Sequence, residues 1–514
     1  MIKKNKMKRS LKIIFSATLF VVLFGSCKKD LLDINVDPNN PTTASANAGL
    51  VLPAALATTA NIYNNPSADS RFAFAGLWLG HIGYSGNYAI ATENVSYALT
   101  NSFGGSAAFN TLYDNIEDYD FVEQKGAEQK NSFYQAIGIL MKAYNFQTLV
   151  DLFNNVPYTQ ALKGTGNSKP AYDNGKAIYE DLAKRMDTAI KIFKTSAAGN
   201  TITGDILFGG DVTKWLQFAN TVKLRLLLRQ SQVNGAAAQT QAAAIAGGFL
   251  TTDAAVQPGY LNSAGKQNPF FGANINVAGT YTNDFYRAGQ YNVAFLKANN
   301  DPRIGSFYKP VLGTTTFQGN FFGEQGLSNS KTSEFGPGVL KAFSQPAVIM
   351  LAAESYFLQS EAALRGWITG DPKTLYEGGV VASFIYLGAN YAPIRNTANT
   401  NDSITFTSTT SAQKYFSQAG NKQTTFDATT TFQEKLAVII RQKYEALTLI
   451  NELQPYNDYR RLRLPADIPL SFSLQSTGAI PNRLLYPQRE YEVNPENVQA
   501  QGTVKPTDKV WWMP

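Results

Sequence analysis

One cysteine and one histidine are all that 514 residues provide of the side chains most used for covalent chemistry and metal binding. With Cys27 alone there is no disulfide framework, so the body must be held by its apolar core. A lone His81 disfavours Ser-His-Asp and Cys-His mechanisms and excludes a multi-histidine metal site. No EF-hand-like run of oxygen ligands occurs, so calcium has no support and no cofactor is implied. Charged residues make up only 16 % of the chain, against a typical ~25 %. Beyond residue 24 no apolar run approaches the ~18 residues of a membrane-spanning helix.

What the chain does have begins at its N-terminus. Lys3, Lys4, Lys6, Lys8, Arg9 and Lys12 precede an apolar segment at residues 13–24, and Gly25 and Ser26 then lead into Cys27. This order reads as a secretory signal peptide over 1–26, too short to span a bilayer, with Cys27 where a bacterial lipoprotein is cut and acylated. Phe24 stands where such sites usually carry leucine. The alternative is cleavage elsewhere, which leaves Cys27 as a free thiol, a liability in an oxidising compartment. Six basic residues leave with the segment, so the formal charge drops from +7 to about +1. The high isoelectric point therefore belongs to the leader and does not argue for nucleic acid.

Residues 27–49, with Pro38, Pro41 and Asn39-Asn40, read as an extended tether. From about residue 50 the pattern turns helical. Phe133, Ile137, Leu140, Met141, Tyr144, Leu149 and Phe153 form one stripe over 132–153, and Ile178, Leu182, Met186, Ile190 and Phe193 another over 174–194. Further helices are expected at 211–231, 236–247, 347–365, 373–387 and 431–453. Pairs of helices joined by short loops suggest tetratricopeptide-like hairpins, mainly at 100–247 and 345–460. Two stretches break the period: about 250–345, rich in Gly, Asn, Pro and aromatics, and about 390–431, rich in Thr and Ser. Both read as irregular insertions on a body spanning 50–514.

Several segments carry a resemblance that runs through the chain in order. They are Asp33-Ile34-Asn35-Val36-Asp37-Pro38-Asn39-Asn40-Pro41-Thr42, the run from Ala353 to Trp367, Tyr376-Glu377-Gly378-Gly379, Asn457-Asp458-Tyr459-Arg460-Arg461, and Pro481-Asn482-Arg483-Leu484-Leu485-Tyr486-Pro487. The chain resembles the SusD/RagB-like nutrient-binding outer-membrane lipoproteins. The resemblance implies a mostly α fold, tetratricopeptide-like hairpins in a right-handed superhelical scaffold, with a loop-rich subdomain carrying short strands. It also implies a lipid-anchored protein, facing the cell exterior, that captures an oligosaccharide or polysaccharide and hands it to a SusC-like TonB-dependent transporter. Peptide or glycopeptide capture is the variant within the same class.

An aromatic ring can pack on the C–H face of a pyranose, while sugar hydroxyls need amide and charged partners. Trp78, His81, Tyr84, Asn87 and Tyr88 lie among Gly76, Gly80, Gly83 and Gly86, a glycine density that suggests an exposed, shaped loop. Tyr281, Phe285 and Tyr286, with Asn283, Asp284 and Arg287, form a second cluster, and Phe321-Phe322 a third. In the resembled family, ligand contacts come from an N-terminal segment and from mid-chain loops, which is where these clusters fall. His81 has a structural reading beside the ligand one, and Trp367 reads as scaffold packing. Asp114, Glu117, Asp118 and Asp120 read as a solvated helix face. With 38 acidic residues present, some pair at glycosidase spacing arises by chance, so an enzyme is the less favoured class. A scaffold that binds only other proteins is the third.

Overall fold

The structure is a computed structural model that describes residues 47–196, 202–392, 394–395, 403–405 and 407–514. The leader, Cys27 and nearly all of the tether lie outside the described residues. Asn131 opens the helix Ser132–Phe153, its side-chain oxygen accepting the Phe133 and Tyr134 amides. Asn174 does the same for Gly175–Thr195. The expected stripe on Ser132–Phe153 is wider than its pattern, because every residue except Ser132 and Gln135 is buried. This helix packs against Ala107–Glu128 on one side and Gly175–Thr195 on the other. Gly138 permits the first contact, since a Cβ there would stand 2.5 Å from the Glu123 backbone nitrogen.

Burial on all sides forces the polar residues of this helix to find partners inside the protein. Asn145 donates to Asn115 Oδ1 at 2.9 Å and accepts from the Tyr63 hydroxyl at 3.1 Å. Asp151 accepts from the Tyr179 hydroxyl and, at 2.8 Å, from the Trp512 indole, which brings the C-terminal tail into the core. The acid cluster at 114–120 lies within Ala107–Glu128, where Asp120 pairs with Lys142.

Neighbouring helices continue the hairpin arrangement. Gly175–Thr195 packs on Val212–Arg229, and that helix on Gly235–Ala243; Ala352–Leu364 packs on Pro372–Leu387 and on Phe432–Leu447. Three expected helices change. The segment 347–365 opens as a strand, Ala347–Met350, antiparallel to Ala254–Val256; only after it does Ala352–Leu364 begin. Four consecutive buried residues, β-branched at two positions, suit a strand covered on both faces. The segment 431–453 gives Phe432–Leu447 and then Leu453–Leu462, with Leu449 at φ 59° breaking the run. The segment 236–247 stops at Ala243, ahead of Gly247 and Gly248, both at positive φ. Inside the Thr/Ser-rich stretch, Thr407 and Thr410 form a reciprocal cap that starts the helix Ser408–Phe416. The 250–345 stretch carries short helices at Pro269–Asn274, Gln290–Ala298 and Ile304–Phe307.

Two of the segments that carried the resemblance meet in a buried ion network. Arg461 makes a two-point contact with Glu361, at 2.6 and 2.7 Å, and reaches Asp458 at 3.0 Å and the Leu228 carbonyl at 3.0 Å. Lys443 closes on Asp458 at 2.9 Å. Burial pushes the Glu361 carboxyl upward, but the Arg461 and Arg365 guanidiniums outweigh it and hold the pKa below the usual carboxylate value. These residues bind helices to one another and serve the scaffold.

Candidate functional site

The first two aromatic clusters of the sequence meet edge to edge. Ile82–Tyr84 pairs antiparallel with Tyr286–Ala288, setting Gly83 opposite Arg287 and Tyr84 opposite Tyr286. The 318–329 segment then crosses over this pair. Its Asn320 amide donates to the Tyr84 carbonyl at 2.7 Å and the Leu327 carbonyl at 2.9 Å. A Cβ on Gly83 would come 2.6 Å from the Asn320 carbonyl oxygen, and one on Gly86 would strike the Gly326 carbonyl. The glycines at these two positions therefore serve close backbone approach, and most of 76–88 is not the exposed loop expected of it. Residues Ala73–Trp78 form a buried helix, and Ile82–Tyr84 is buried at every position.

This packing removes two expected ligand contacts. Trp78 is 1 % exposed, with its indole donating to Asn94 Oδ1 at 2.6 Å. His81 is fully buried, Nδ1 lying 2.5 Å from Glu452 Oε2 and its ring 4.0 Å from that of Tyr444. Neither offers a face to a molecule in solution. Both instead support the layer above. Asn94, held by Trp78, donates to the Tyr84 hydroxyl at 2.9 Å, and Tyr84 packs on Phe285 with ring centres 5.1 Å apart. Tyr84 and Tyr286 are themselves nearly covered, so they too belong to the supporting layer.

Tyr88 and Phe285 remain at the surface. Their ring centres are 5.4 Å apart with planes at 76°, Tyr88 exposed and Phe285 half-buried. The neighbouring Asp284 carboxylate raises the Tyr88 phenol pKa above the ordinary value. Asn87 is exposed, and its Oδ1 accepts the Asn329 amide at 3.0 Å, which fixes the neighbouring loop. Phe321 stacks obliquely on exposed Phe472 at 4.9 Å and is not among the residues that line the cleft described next.

Beside the Tyr88–Asp284 pair opens a cleft of about 410 Å³ lined by Tyr281, Asp284, Arg287, Lys309, Asn329 and Glu334, among others. Both cations stand over the Tyr281 ring, Arg287 at 5.6 Å and Lys309 at 5.2 Å from its centre. Glu334 lies 3.2 Å from Lys309 and 3.8 Å from Arg287. An aromatic face ringed by alternating donors and acceptors matches the surface of a sugar, which has apolar C–H patches between hydroxyls. Lys309 and Glu334 escaped the sequence reading because they sit singly in loops with no periodicity. Their only signal is proximity to Pro310 and Phe335 in the irregular stretch. Among the described residues, no group of three or more His, Cys, Asp or Glu side chains is placed to hold a metal ion. No described helix is long and apolar enough to cross a membrane.

Residues 38–487 match the SusD-like family model described as starch-binding and associating with the outer membrane, and the chain belongs to that family. Among solved structures, it is similar to a SusD-like protein of Bacteroides thetaiotaomicron VPI-5482. The two share 24 % identity and a TM-score of 0.70, over 90 % of this chain and 98 % of the other. It is likewise similar to a chitin-binding SusD homologue of Flavobacterium johnsoniae, at 22 % identity and TM-score 0.69, over 90 % and 98 % of the two chains. A SusD homologue of Bacteroides fragilis NCTC 9343 gives 18 % identity and a TM-score of 0.71, over 91 % of this chain and all of that one. No protein of curated function matches the sequence.

Proposed function

We propose that this protein is a lipid-anchored receptor on the outer face of the outer membrane, capturing glycans for a SusC-like TonB-dependent transporter. The observation that carries the reading is the surface Tyr88–Phe285 ring pair next to a cleft lined by Tyr281, two cations, two carboxylates and Asn329. Family membership and the chitin-binding homologue support a glycan over a peptide. The role is capture without turnover. Asp284 and Glu334 both line the cleft, so measurement of product release from bound oligosaccharide is the direct check on that statement. Steady product formation would replace the receptor reading with a hydrolase.

Tyr88→Ala removes an exposed ring whose loss leaves the supporting layer intact. Affinity for oligosaccharides in a panel that includes chitin and starch fragments is expected to fall by about 10-fold, in line with the ~0.5–1.5 kcal/mol of an aromatic contact plus lost area. The melting temperature should stay near that of the parent. Calorimetric titration reads the first and scanning calorimetry the second; unchanged affinity for every bound glycan would remove Tyr88 from the site. The lipid assignment has its own check. Cys27→Ala is expected to bind the same glycans yet partition into the soluble fraction on membrane flotation, because three acyl chains at ~0.8 kcal/mol per buried CH₂ far exceed what one chain holds. A membrane-retained Cys27→Ala protein would show that another element anchors it.

A further inference from the structure

The clefts of this molecule differ in how their cations are treated. In a larger one of about 450 Å³, whose lining includes Asp120, Lys142, Tyr158, Asp181 and Arg185, the two least exposed cations, Lys142 and Arg185, are engaged by the protein itself. Lys142 meets Glu123 at 2.7 Å, and Arg185 donates to both Glu123 oxygens at 2.9 and 2.7 Å.

Arg287 is treated otherwise. It is 3 % exposed, yet its Nε and Nη1 have no hydrogen-bond partner among the described residues. Its nearest carboxylate, Glu334, stands 3.8 Å away, beyond hydrogen-bonding reach, and is drawn toward Lys309 at 3.2 Å. Native proteins pair buried guanidiniums closely, because desolvating the cation without hydrogen bonds costs several kcal/mol. Here one carboxylate is shared between two cations, and the second carboxylate of the cleft, Asp284, is exposed. A further acceptor carrying negative charge would complete the pair.

We infer that Arg287, with Lys309, receives the carboxylate of an acidic sugar unit, so that the glycans captured here include uronic-acid-bearing chains. This rests on the glycan reading proposed above and deepens it. A carboxylate is the group whose geometry and charge best fit a guanidinium, and it gains most where water is largely excluded. Tyr281 lies under both cations and holds them on the same side of the cleft. A neutral sugar could occupy the same space, but it would leave Arg287 without a charged acceptor within hydrogen-bonding reach.

The test compares oligomers of galacturonate and of glucuronate with the same oligomers after their carboxylates are reduced to hydroxymethyl groups. Titration of the full chain should show about 10- to 100-fold tighter binding of at least one acidic form, the range of a charge-assisted contact. The preference should weaken as salt rises. Arg287→Gln should abolish the preference, with a cooperative thermal transition reporting that the variant is folded. Lys309→Gln, at a more exposed position, should diminish the preference without risk to the core. Equal affinity for acidic and reduced forms overturns the inference and leaves the glycan reading standing. Failure to bind either form, with an acidic peptide bound instead, overturns both.

Discussion

Trp78→Ala is expected to lower stability by about 3–5 kcal/mol, the range for deleting a fully buried large aromatic. The indole packs against four rings: Phe74 at 4.6 Å, Tyr456 at 5.6 Å, and Tyr97 and Phe103 each at 6.1 Å. Its removal opens a cavity among them and leaves Asn94 Oδ1 without its buried donor. Because Asn94 also positions the Tyr84 hydroxyl, the damage reaches the underside of Phe285 and Tyr88. Urea unfolding followed by fluorescence checks the magnitude. A midpoint within error of the parent would mean that the site closes without cost, and the supporting-layer role of Trp78 would fail with it.

Glu445→Gln should change how stability depends on pH. This carboxyl is fully buried, and neither oxygen has a hydrogen-bond partner among the described residues; its closest cation, Arg441, is 3.9 Å away. Burial raises its pKa to about 8, with Arg441 pulling in the opposite direction. An acid whose folded pKa exceeds its unfolded value binds a proton more tightly in the folded state. Stability is therefore greatest near and below the ordinary pKa of about 4.5 and declines as pH rises through about 8. The glutamine variant lacks this titration. Between pH 5 and pH 9 the parent is expected to lose on the order of 2–5 kcal/mol more than the variant, an upper range set by 1.36 kcal/mol per pKa unit. Taking the difference between the two proteins cancels other groups that titrate in the window, such as Asp69, raised to about 6 mainly by burial. Parallel stability curves would show that Glu445 is solvated or paired in solution.

Helices and the family were legible in the sequence because both are written locally. The stripes over 132–153 and 174–194 are set by residues three or four apart, within one turn of each other. The order of resemblance-bearing segments needed no three-dimensional knowledge. The binding face was less legible for a physical reason. A glycine-dense segment is compatible with an exposed loop or with backbones packed in contact, and composition does not separate the two. Here Gly83 and Gly86 serve close contact, which places Trp78 and His81 inside and leaves Tyr88 outside. The strand at 347–350 was lost into the helix that follows it, since a short apolar run has no period to betray it. Arg287 was visible as a member of an aromatic cluster, but its lack of partners is a property of the fold alone.

The strand pair that sets Gly83 opposite Arg287 has a consequence for how the molecule is made. Its two halves are about two hundred residues apart along the chain, and the crossing segment that locks them follows later still. Between them the hairpin of Ala107–Glu128 and Ser132–Phe153 closes through residues 129–131 alone and is free to form early. Loop closure across that distance comes late in folding, when most of the scaffold exists to shorten the path. The Ile82–Tyr84 and Tyr286–Ala288 pair is thus a late contact in assembly. A chain cut short in synthesis or by a protease before residue 281 would lack Tyr286–Ala288 and every residue that lines the cleft.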